Sequence, residues 1–211
     1  FFMYATMIIA VPTGIKVFNW IATCFRGSLS FETPMLFALA FLFLFTFGGF
    51  TGLMLSMTPA DYQYQDTYFV VGHFHYVLVP GALFSILAAC YYWYPKWTGR
   101  MYSETIGKWH FWTSITGVNL TFFPMHFLGL AGMPRRIPDY ALQFTNFNQV
   151  ATMGAFIFGF SQLFFAYNML TSYRKGKVVT DPQVWEGAHG LEWTLPTPAP
   201  YHSFTTPPKV D

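Results

Sequence analysis

The chain has 211 residues, of which 54% are hydrophobic, 22% are aromatic and only 9% are charged. Soluble domains carry about 25% charged residues, so this composition excludes an ordinary soluble protein and indicates an integral membrane protein. The net charge of +2 is too small and too scattered along the chain to predict nucleic-acid binding. Because the sequence starts at Phe1, without an initiator methionine or a basic leader, we expect a piece of a longer polypeptide.

Five apolar runs are long enough to cross a bilayer as helices, since about 20 residues span its hydrocarbon core. In lipid only helices and closed barrels satisfy their backbones, and these runs do not alternate as barrel strands would. The predicted fold is an all-α polytopic membrane helix bundle over residues 1–175, followed by a polar, Pro-rich tail over residues 176–211. The predicted spans are Met3–Phe25, Pro34–Met57, Thr67–Tyr94, Ile106–Leu130 and Val150–Tyr173.

The basic residues predict the direction of the helices, because cytoplasmic loops are enriched in Lys and Arg. If the carboxy terminus lies inside, the outer loops carry only Arg135 and Arg136. The inner segments then carry Arg26, Lys96, Arg100, Lys108, Arg174, Lys175, Lys177 and Lys209. This bias predicts odd-numbered spans that run from outside to inside, with the tail on the cytoplasmic or matrix side.

The first span contains Thr13 and Lys16, which share one helix face because they are three residues apart. Pro12 precedes them and removes a backbone hydrogen bond, so a kink is expected. Lys16 lies roughly 15 Å from the inner end at Arg26, too deep for its ammonium group to reach water easily. Lys16 is therefore a candidate proton carrier; the alternative is a lysine that reaches the interface or an acidic partner.

The second span ends near the sequence GGFTG, Gly48–Gly52, whose small residues predict close helix packing. The loop that follows brings Asp61 and Asp66 to the start of the third span. Asp66 is placed to cap that helix, because its carboxylate can accept amide hydrogens of the first turn.

The third span contains His73 and His75, which the predicted span places in hydrocarbon rather than water. Residues two apart on a helix point to roughly opposite sides and cannot share one metal ion, so this pair predicts two separate centres. Neutral imidazole is an axial ligand of haem iron, and a macrocycle is apolar enough to lie between membrane helices. The alternative is a pair of histidines hydrogen-bonded to neighbouring helices.

The fourth span carries His110 and His126, neither of which has a partner at ligand spacing, so both are expected to be hydrogen-bonded structural residues. The sequence GMPRR then places Arg135 and Arg136 on the outer side. Two adjacent guanidinium groups suit pairing with carboxylates, and the alternative is a merely interfacial arginine pair.

The fifth span has no charge before Arg174 and is predicted to be packing surface. The tail is expected to lie extended on the protein surface, with Trp185, Trp193 and Tyr201 as anchors.

These motifs occur together in one known family. HFHYV preceded by DTY, with MPRR downstream and AVPTGIKVF upstream, resembles the carboxy-terminal part of subunit I of haem-copper terminal oxidases, most closely the cytochrome c oxidase branch. The resemblance runs from Phe1 to the tail near Val210. It implies that the spans are the last five helices of a twelve-helix catalytic subunit, in a bacterial or mitochondrial inner membrane.

The resemblance also implies cofactors and their residues. His73 is expected to bind the iron of a high-spin, oxygen-binding haem and His75 that of a low-spin haem, both of A type. Phe74 would pack between the macrocycles, or serve simply as a core aromatic. Arg135 and Arg136 are expected to contact the haem propionates.

Other residues receive roles by the same resemblance. Lys16 and Thr13 correspond to part of a proton-uptake path, and Asp61 to an acid near a haem propionate. Asp66 corresponds to a magnesium ligand. The family has a second magnesium ligand, a histidine, where this chain has Gln65, which puts Gln65 in doubt as a ligand.

The resemblance finally implies what the chain lacks. The copper ligands and the second ligand of the low-spin haem belong to the amino-terminal part of subunit I, so this chain alone is expected to be inactive. Expected partners are that part, subunits II and III, cytochrome c and membrane lipid, in a proton-pumping oxidase that reduces O2 to water. The alternatives are a quinol oxidase of the same superfamily and a non-haem transporter or structural subunit.

Overall fold

The computed structural model describes residues 1–208, most of which are helical. In chain order the elements are α1 (Phe2–Cys24), α2 (Thr33–Ser56), α3 (Thr58–Tyr64), α4 (Tyr68–Leu78), a π-helical turn (Val79–Phe84), α5 (Ser85–Thr98), β1 (Arg100–Met101), α6 (Glu104–Leu130), a 3-10 turn (Leu142–Phe144), α7 (Thr145–Lys175), β2 (Lys177–Val178) and a 3-10 turn (Leu191–Thr194). Lys209, which the topology argument includes, lies outside the described residues.

Four segments within residues 1–208 are long and apolar enough to cross a membrane: Phe2–Cys24, Thr33–Ser56, Tyr68–Thr98 and Leu142–Lys175. The predicted all-α polytopic membrane bundle is therefore confirmed. Helix α6, with 27 residues, has the length of a fifth span, but its Thr, Ser, His and Asn residues make it less apolar. The count of five spans stays a prediction.

The long helices alternate in direction. At one end, which we call the tail end, Glu104 at the start of α6 accepts hydrogen bonds from Thr33 N (2.6 Å) and Oγ1 (3.0 Å) at the start of α2. At the other end, the loop end, Met7 near the start of α1 accepts a 3.6 Å hydrogen bond from Ser56 at the end of α2. Apart from Arg135 and Arg136, the basic residues that flank the helices lie at the tail end. This distribution follows from the alternating direction of successive helices.

The third span is irregular where its sequence contains Pro80 and Gly81. Proline has no amide hydrogen, so an α-helical hydrogen bond is missing there, and the wider π-helical turn accommodates the defect. The histidines lie in α4, on the loop-end side of this turn. Helix α4 packs between α2 and α6, and these three elements meet in a buried aromatic and aliphatic cluster that includes Phe37, Leu44 and Tyr76.

Small residues bring the helices close together, as the GGFTG segment predicts. A Cβ added at Gly48 of α2 would lie 2.9 Å from the carbonyl carbon of Tyr76 in α4. Between α6 and α7 the approach is just as tight, because a Cβ at Gly154 would lie 2.5 Å from the amide nitrogen of Thr121. A buried hydrogen bond of 2.8 Å between Ser114 and Ser161 joins the same two helices.

Helix α1 is the least enclosed of the long helices. It packs against α2, where Trp20 contacts Phe41 edge to face with 4.9 Å between ring centroids, and none of its residues is buried. Most of its apolar surface therefore has no partner within the described residues.

The tail packs on the tail end of α5. Lys96, only 3% exposed, donates to Leu195 O (2.6 Å) and, at longer range, to Pro182 O and Thr197 Oγ1. Trp185 and Trp193 pack against α5, but Tyr201 is 97% exposed, so its predicted anchoring role is wrong.

Candidate functional site

His73 lies against α2. Its Nδ1 is 2.8 Å from Gly48 O and 3.1 Å from Thr51 Oγ1. Because a carbonyl oxygen only accepts hydrogen bonds, the bond to Gly48 O requires a proton on Nδ1. The lone pair of the neutral ring then lies on Nε2, which makes no hydrogen bond within residues 1–208.

His75 lies on the opposite side of α4, against α6. Its ring stacks on that of Phe122, with centroids 4.4 Å apart and planes 14° apart. Its Nδ1 donates to Val71 O at 2.8 Å, one turn earlier in the same helix. The lone pair of the neutral ring is again on Nε2, without a hydrogen bond among the described residues.

Both imidazoles fit the axial position of a haem. A ligating histidine typically donates its other ring N–H to a carbonyl, which fixes the tautomer and directs the coordinating nitrogen. Both rings are half-buried, and neither Nε2 is among the buried polar atoms without a partner, so both nitrogens reach the surface of the chain. Leu78, the next residue along the His75 face, is 58% exposed, so that flank is open.

Phe74 is half-buried and its ring centroid is 4.5 Å from that of His75. It lies between the two ligand candidates in sequence, on neither of their faces. Its predicted position between macrocycles stays a prediction.

The two histidines of α6 differ from those of α4. His110 is fully buried, with Nδ1 3.0 Å from the hydroxyl of Tyr91, and His126 is 5% exposed, with Nδ1 3.2 Å from Phe123 O. In both rings Nε2 is buried and has no hydrogen-bond partner within residues 1–208. The His126 ring packs so closely on Gly72 that a Cβ there would lie 2.9 Å from it. Both histidines are core residues, as the sequence predicts.

At the loop end the structure joins the segment before α4 to the segment after α6. Arg135 Nε and Nη2 each lie 2.8 Å from Asp66 Oδ1, and Arg135 N donates to Asp66 O at 2.9 Å. Asp66 does not cap α4, so that expectation is wrong. Its backbone is left-handed (φ +54°), and Thr67 is the cap, accepting from Phe69 N at 3.2 Å.

The other three predicted site residues at the loop end lie in different environments. Arg136 and Gln65 are exposed, and Asp61 is half-buried in the short helix α3. Among the described residues no group of three or more His, Cys, Asp or Glu side chains could hold a metal ion together. Because protein-bound Mg²⁺ keeps several waters and needs only one or two carboxylates, the predicted magnesium role of Asp66 stays a prediction.

Thr13 and Lys16 lie in α1, away from the histidines. Thr13 Oγ1 donates to Ile9 O at 3.2 Å within the helix. Lys16 is exposed, with its ammonium nitrogen 5.7 Å from the ring centroid of Trp20. Their predicted role in proton uptake stays a prediction.

Sequence reasoning missed the part of α2 that supports His73. A Cβ at Gly52 would lie 2.7 Å from His73 Cε1, so only glycine leaves room for the ring. Thr51 Oγ1 donates to Gly48 O at 2.8 Å, which leaves its lone pairs facing His73 Nδ1. The small and hydroxyl residues of GGFTG are the signal that could have identified this support.

A cavity of about 540 Å³ lies elsewhere, at the tail end between α2, α5 and the tail. Its walls include Ala38, Ala88 and Trp185, and none of the predicted site residues lines it. Its size does not make it the functional site, because the donor atoms that suit a metal or haem are in α4.

The fold and the α4 histidines define a class: a polytopic helical membrane protein in which one helix presents, on each flank, an imidazole nitrogen that has no hydrogen-bond partner among the described residues. The family model for cytochrome c and quinol oxidase polypeptide I matches residues 1–157. The chain therefore belongs to this family, as the sequence motifs predict.

Individual relatives agree with this assignment. Cytochrome c oxidase subunit 1 of Cereibacter sphaeroides is 53% identical over 210 residues, which are 99% of this chain and 37% of that protein. Cytochrome c oxidase subunit 1 of Corynebacterium diphtheriae is 46% identical over 212 residues, covering 100% of this chain and 38% of that protein. The chain thus spans little more than a third of the length of these curated relatives.

A solved structure agrees at the level of the fold. A haem-copper terminal oxidase dimer determined by cryo-EM superposes with a TM-score of 0.61 and 23% identity, over 69% of this chain and 27% of that one.

Proposed function

We propose that this chain is the haem-ligating part of the catalytic subunit of a respiratory oxidase that takes electrons from cytochrome c and reduces O2 to water. His73 binds the iron of the high-spin haem and His75 that of the low-spin haem. The observation that carries the proposal is the position of the two Nε2 atoms on opposite flanks of α4, where neither has a hydrogen-bond partner within residues 1–208 and both Nδ1–H groups are held by backbone carbonyls.

When bound, the haems supply redox-active iron. The residues of this chain hold and orient them. The carbonyl of Gly48 and the hydroxyl of Thr51 fix the ring of His73, and hydrogen bonding to Nδ1–H raises the basicity of a ligating imidazole. Phe122 fixes the ring plane of His75 by stacking. The short helical connection between the rings sets the relation of one haem to the other.

At the loop end Arg135 and Arg136 supply positive charge for the haem propionates. Arg135 is held by Asp66, so its guanidinium is oriented in advance, and its remaining donors are available to a second carboxylate. Asp66 Oδ2 contributes to a magnesium site that is completed by ligands outside this chain, and Gln65 is not assigned to that site. Asp61 belongs to a proton-exit group near a propionate.

Proton uptake uses Lys16 and Thr13 of α1. Lys16 is a basic residue well inside an apolar helix and has no acidic partner within the described residues, which supports a role in carrying protons. The exposed surface of α1 packs against the amino-terminal part of the subunit, which supplies the copper ligands and the second axial ligand of the low-spin haem. The tail faces the cytoplasmic or matrix side of an inner membrane.

The names of the curated relatives, cytochrome c oxidase subunit 1 in two organisms, favour cytochrome c over quinol as the electron donor. A turnover assay of the whole complex with each donor checks this choice. Turnover with quinol and none with reduced cytochrome c would overturn it.

The central experiment substitutes His73→Ala and His75→Ala separately in the full-length subunit and records reduced-minus-oxidised optical spectra of the purified complex. Each substitution removes an axial ligand, so we expect each to abolish a different haem signal and to reduce oxygen consumption to background. His126→Gln is the matched control, because His126 is a helical core histidine whose Nε2 is buried.

Two outcomes would contradict the proposal. If both α4 variants keep both haem bands, the histidines are not axial ligands. If the unmodified complex shows no haem bands at all, the transporter or structural-subunit alternative is correct.

A further inference from the structure

A second cavity, of about 390 Å³, lies at the tail end between the paired strands β1 and β2 and the last turns of α7. Its walls include Lys175, Lys177, Ser103 and Thr171, and they contain no carboxylate. Both lysines are exposed, and neither makes an ion pair within residues 1–208. The cavity therefore carries uncompensated positive charge.

Two more cations lie next to the same pair of strands. Arg100 in β1 uses Nη1 to donate to Gly176 O at 2.9 Å, and Arg174 is exposed at the end of α7. Neither forms an ion pair in the described part of the chain. Grouped like charges repel one another, so this arrangement is most stable when an anion lies among them.

The walls of the cavity are held rigidly by a buried asparagine. Asn168, fully buried in α7, accepts from Ser103 N at 3.0 Å and donates to Ser103 O at 2.9 Å, which joins the start of α6 to α7. Ser172 donates to the same side chain at 3.3 Å. The antiparallel pairing of Met101 with Lys177 then fixes the second lysine beside the cavity. The site is thus formed before any ligand arrives.

An apolar track leads from the cavity along α7. Residues spaced three or four apart from Thr171 towards the middle of the helix are Tyr167, Leu163 and Phe160, which are 59%, 61% and 58% exposed. Lys175 and Leu163 lie roughly 18 Å apart along the helix axis, close to the hydrocarbon depth of one leaflet. The surface is therefore cationic at the membrane edge and apolar below it.

We propose that this surface binds one anionic phospholipid, with its phosphodiester headgroup in the cavity between Lys175 and Lys177 and an acyl chain along Tyr167 and Leu163. Clusters of basic residues at the end of a transmembrane helix attract anionic lipids, each contributing about 1 kcal/mol, or roughly fivefold in affinity. The apolar track distinguishes a lipid from free phosphate, which has nothing to place on it.

The test uses the purified, delipidated complex that contains the full-length subunit. Native mass spectrometry measures retention of added phosphatidylglycerol and, separately, of zwitterionic phosphatidylcholine of the same chain length. We expect selective retention of phosphatidylglycerol, weakened about 25-fold in the double variant Lys175→Gln/Lys177→Gln. A second arm adds inorganic phosphate as a competitor, which should not displace the lipid.

The matched control is Lys108→Gln, at the same end of the bundle. Lys108 is paired with Glu104 at 3.8 Å and does not line the cavity, so its substitution should leave lipid retention unchanged. The comparison of the two lipids on the unmodified complex needs no variant, so equal retention there would overturn the proposal even if the double variant does not assemble.

Three results would overturn the proposal. Equal retention of the two lipids would exclude recognition of the headgroup charge. Displacement by inorganic phosphate would indicate an anion site without a lipid. Unchanged retention in a correctly assembled double variant would show that another part of the complex covers this cavity and that the lipid binds elsewhere.

Discussion

The histidines of α4 and those of α6 share a chemical group and an apolar setting, yet they differ in the exposure of Nε2. Three of the four rings place Nδ1 next to a backbone carbonyl, and His110 places it next to Tyr91. In α4 the other nitrogen reaches the surface of the chain, whereas in α6 it is buried against packed side chains.

This difference teaches that the number of hydrogen bonds does not separate a ligand candidate from a core histidine. The access of Nε2 separates them. Both rings pack closely onto a glycine of a neighbouring helix, because a Cβ at Gly52 would lie 2.7 Å from His73 Cε1 and a Cβ at Gly72 would lie 2.9 Å from His126 Cε1. A close glycine contact therefore occurs both at a ligand candidate and at a core histidine, and only the exposure of Nε2 differs.

The largest effect that would test this comparison comes from Gly52→Ala. The added methyl group would lie 2.7 Å from His73 Cε1, so the ring must turn away from Gly48 O and Thr51. We expect loss of the high-spin haem signal with the low-spin signal retained, measured by optical spectroscopy. Gly49→Ala is the control, since a Cβ at Gly49 meets no atom within 4 Å.

Gly72→Ala should have an intermediate effect. Its methyl group would lie within about 3 Å of the His126 ring, and such overpacking costs roughly 1–3 kcal/mol. We expect a lower unfolding temperature in detergent, while both haem signals persist in the folded fraction because His126 is not a ligand. Loss of one haem band at full stability would instead make His126 part of a haem site.

The smallest effect is expected from Thr51→Val, which removes one acceptor near His73 Nδ1 and leaves Gly48 O in place. The change should cost about 1 kcal/mol and leave both haems bound. Because a weaker hydrogen bond to Nδ1–H lowers ligand basicity, the iron–histidine stretching frequency of the high-spin haem should fall in the resonance Raman spectrum. Thr51→Ser keeps the hydroxyl and should restore the frequency.

Much of the fold follows from composition and run length alone. Apolar runs bounded by polar loops are enough to predict α1, α2, α6 and α7, because in lipid the backbone has few other solutions. The sequence predicts that Trp185 and Trp193 anchor the tail, but it does not predict that they pack against α5, because composition alone does not identify contact partners. Tyr201 shows the limit, because nothing local distinguishes it from the two tryptophans that do pack.

The sequence predicts those features of the site that depend on the spacing of residues within one helix. It does not predict contacts that depend on how distant segments pack together. The separation of two residues between His73 and His75 places them on opposite flanks of any helix. By contrast, the pairing of Asp66 with Arg135 joins residues far apart in sequence. The support of His73 by Thr51 likewise depends on how α2 packs on α4, which no local pattern reports.

Lys96 gives the tail a consequence for assembly. Its ammonium group is satisfied by oxygen atoms that follow it by 86 to 101 residues. While the polypeptide is being synthesised, the third span enters the membrane long before those acceptors exist. The end of α5 therefore reaches its final state only after the chain has been made as far as Thr197, and a product truncated after α7 would leave this cation hydrated and the bundle unfinished at that end.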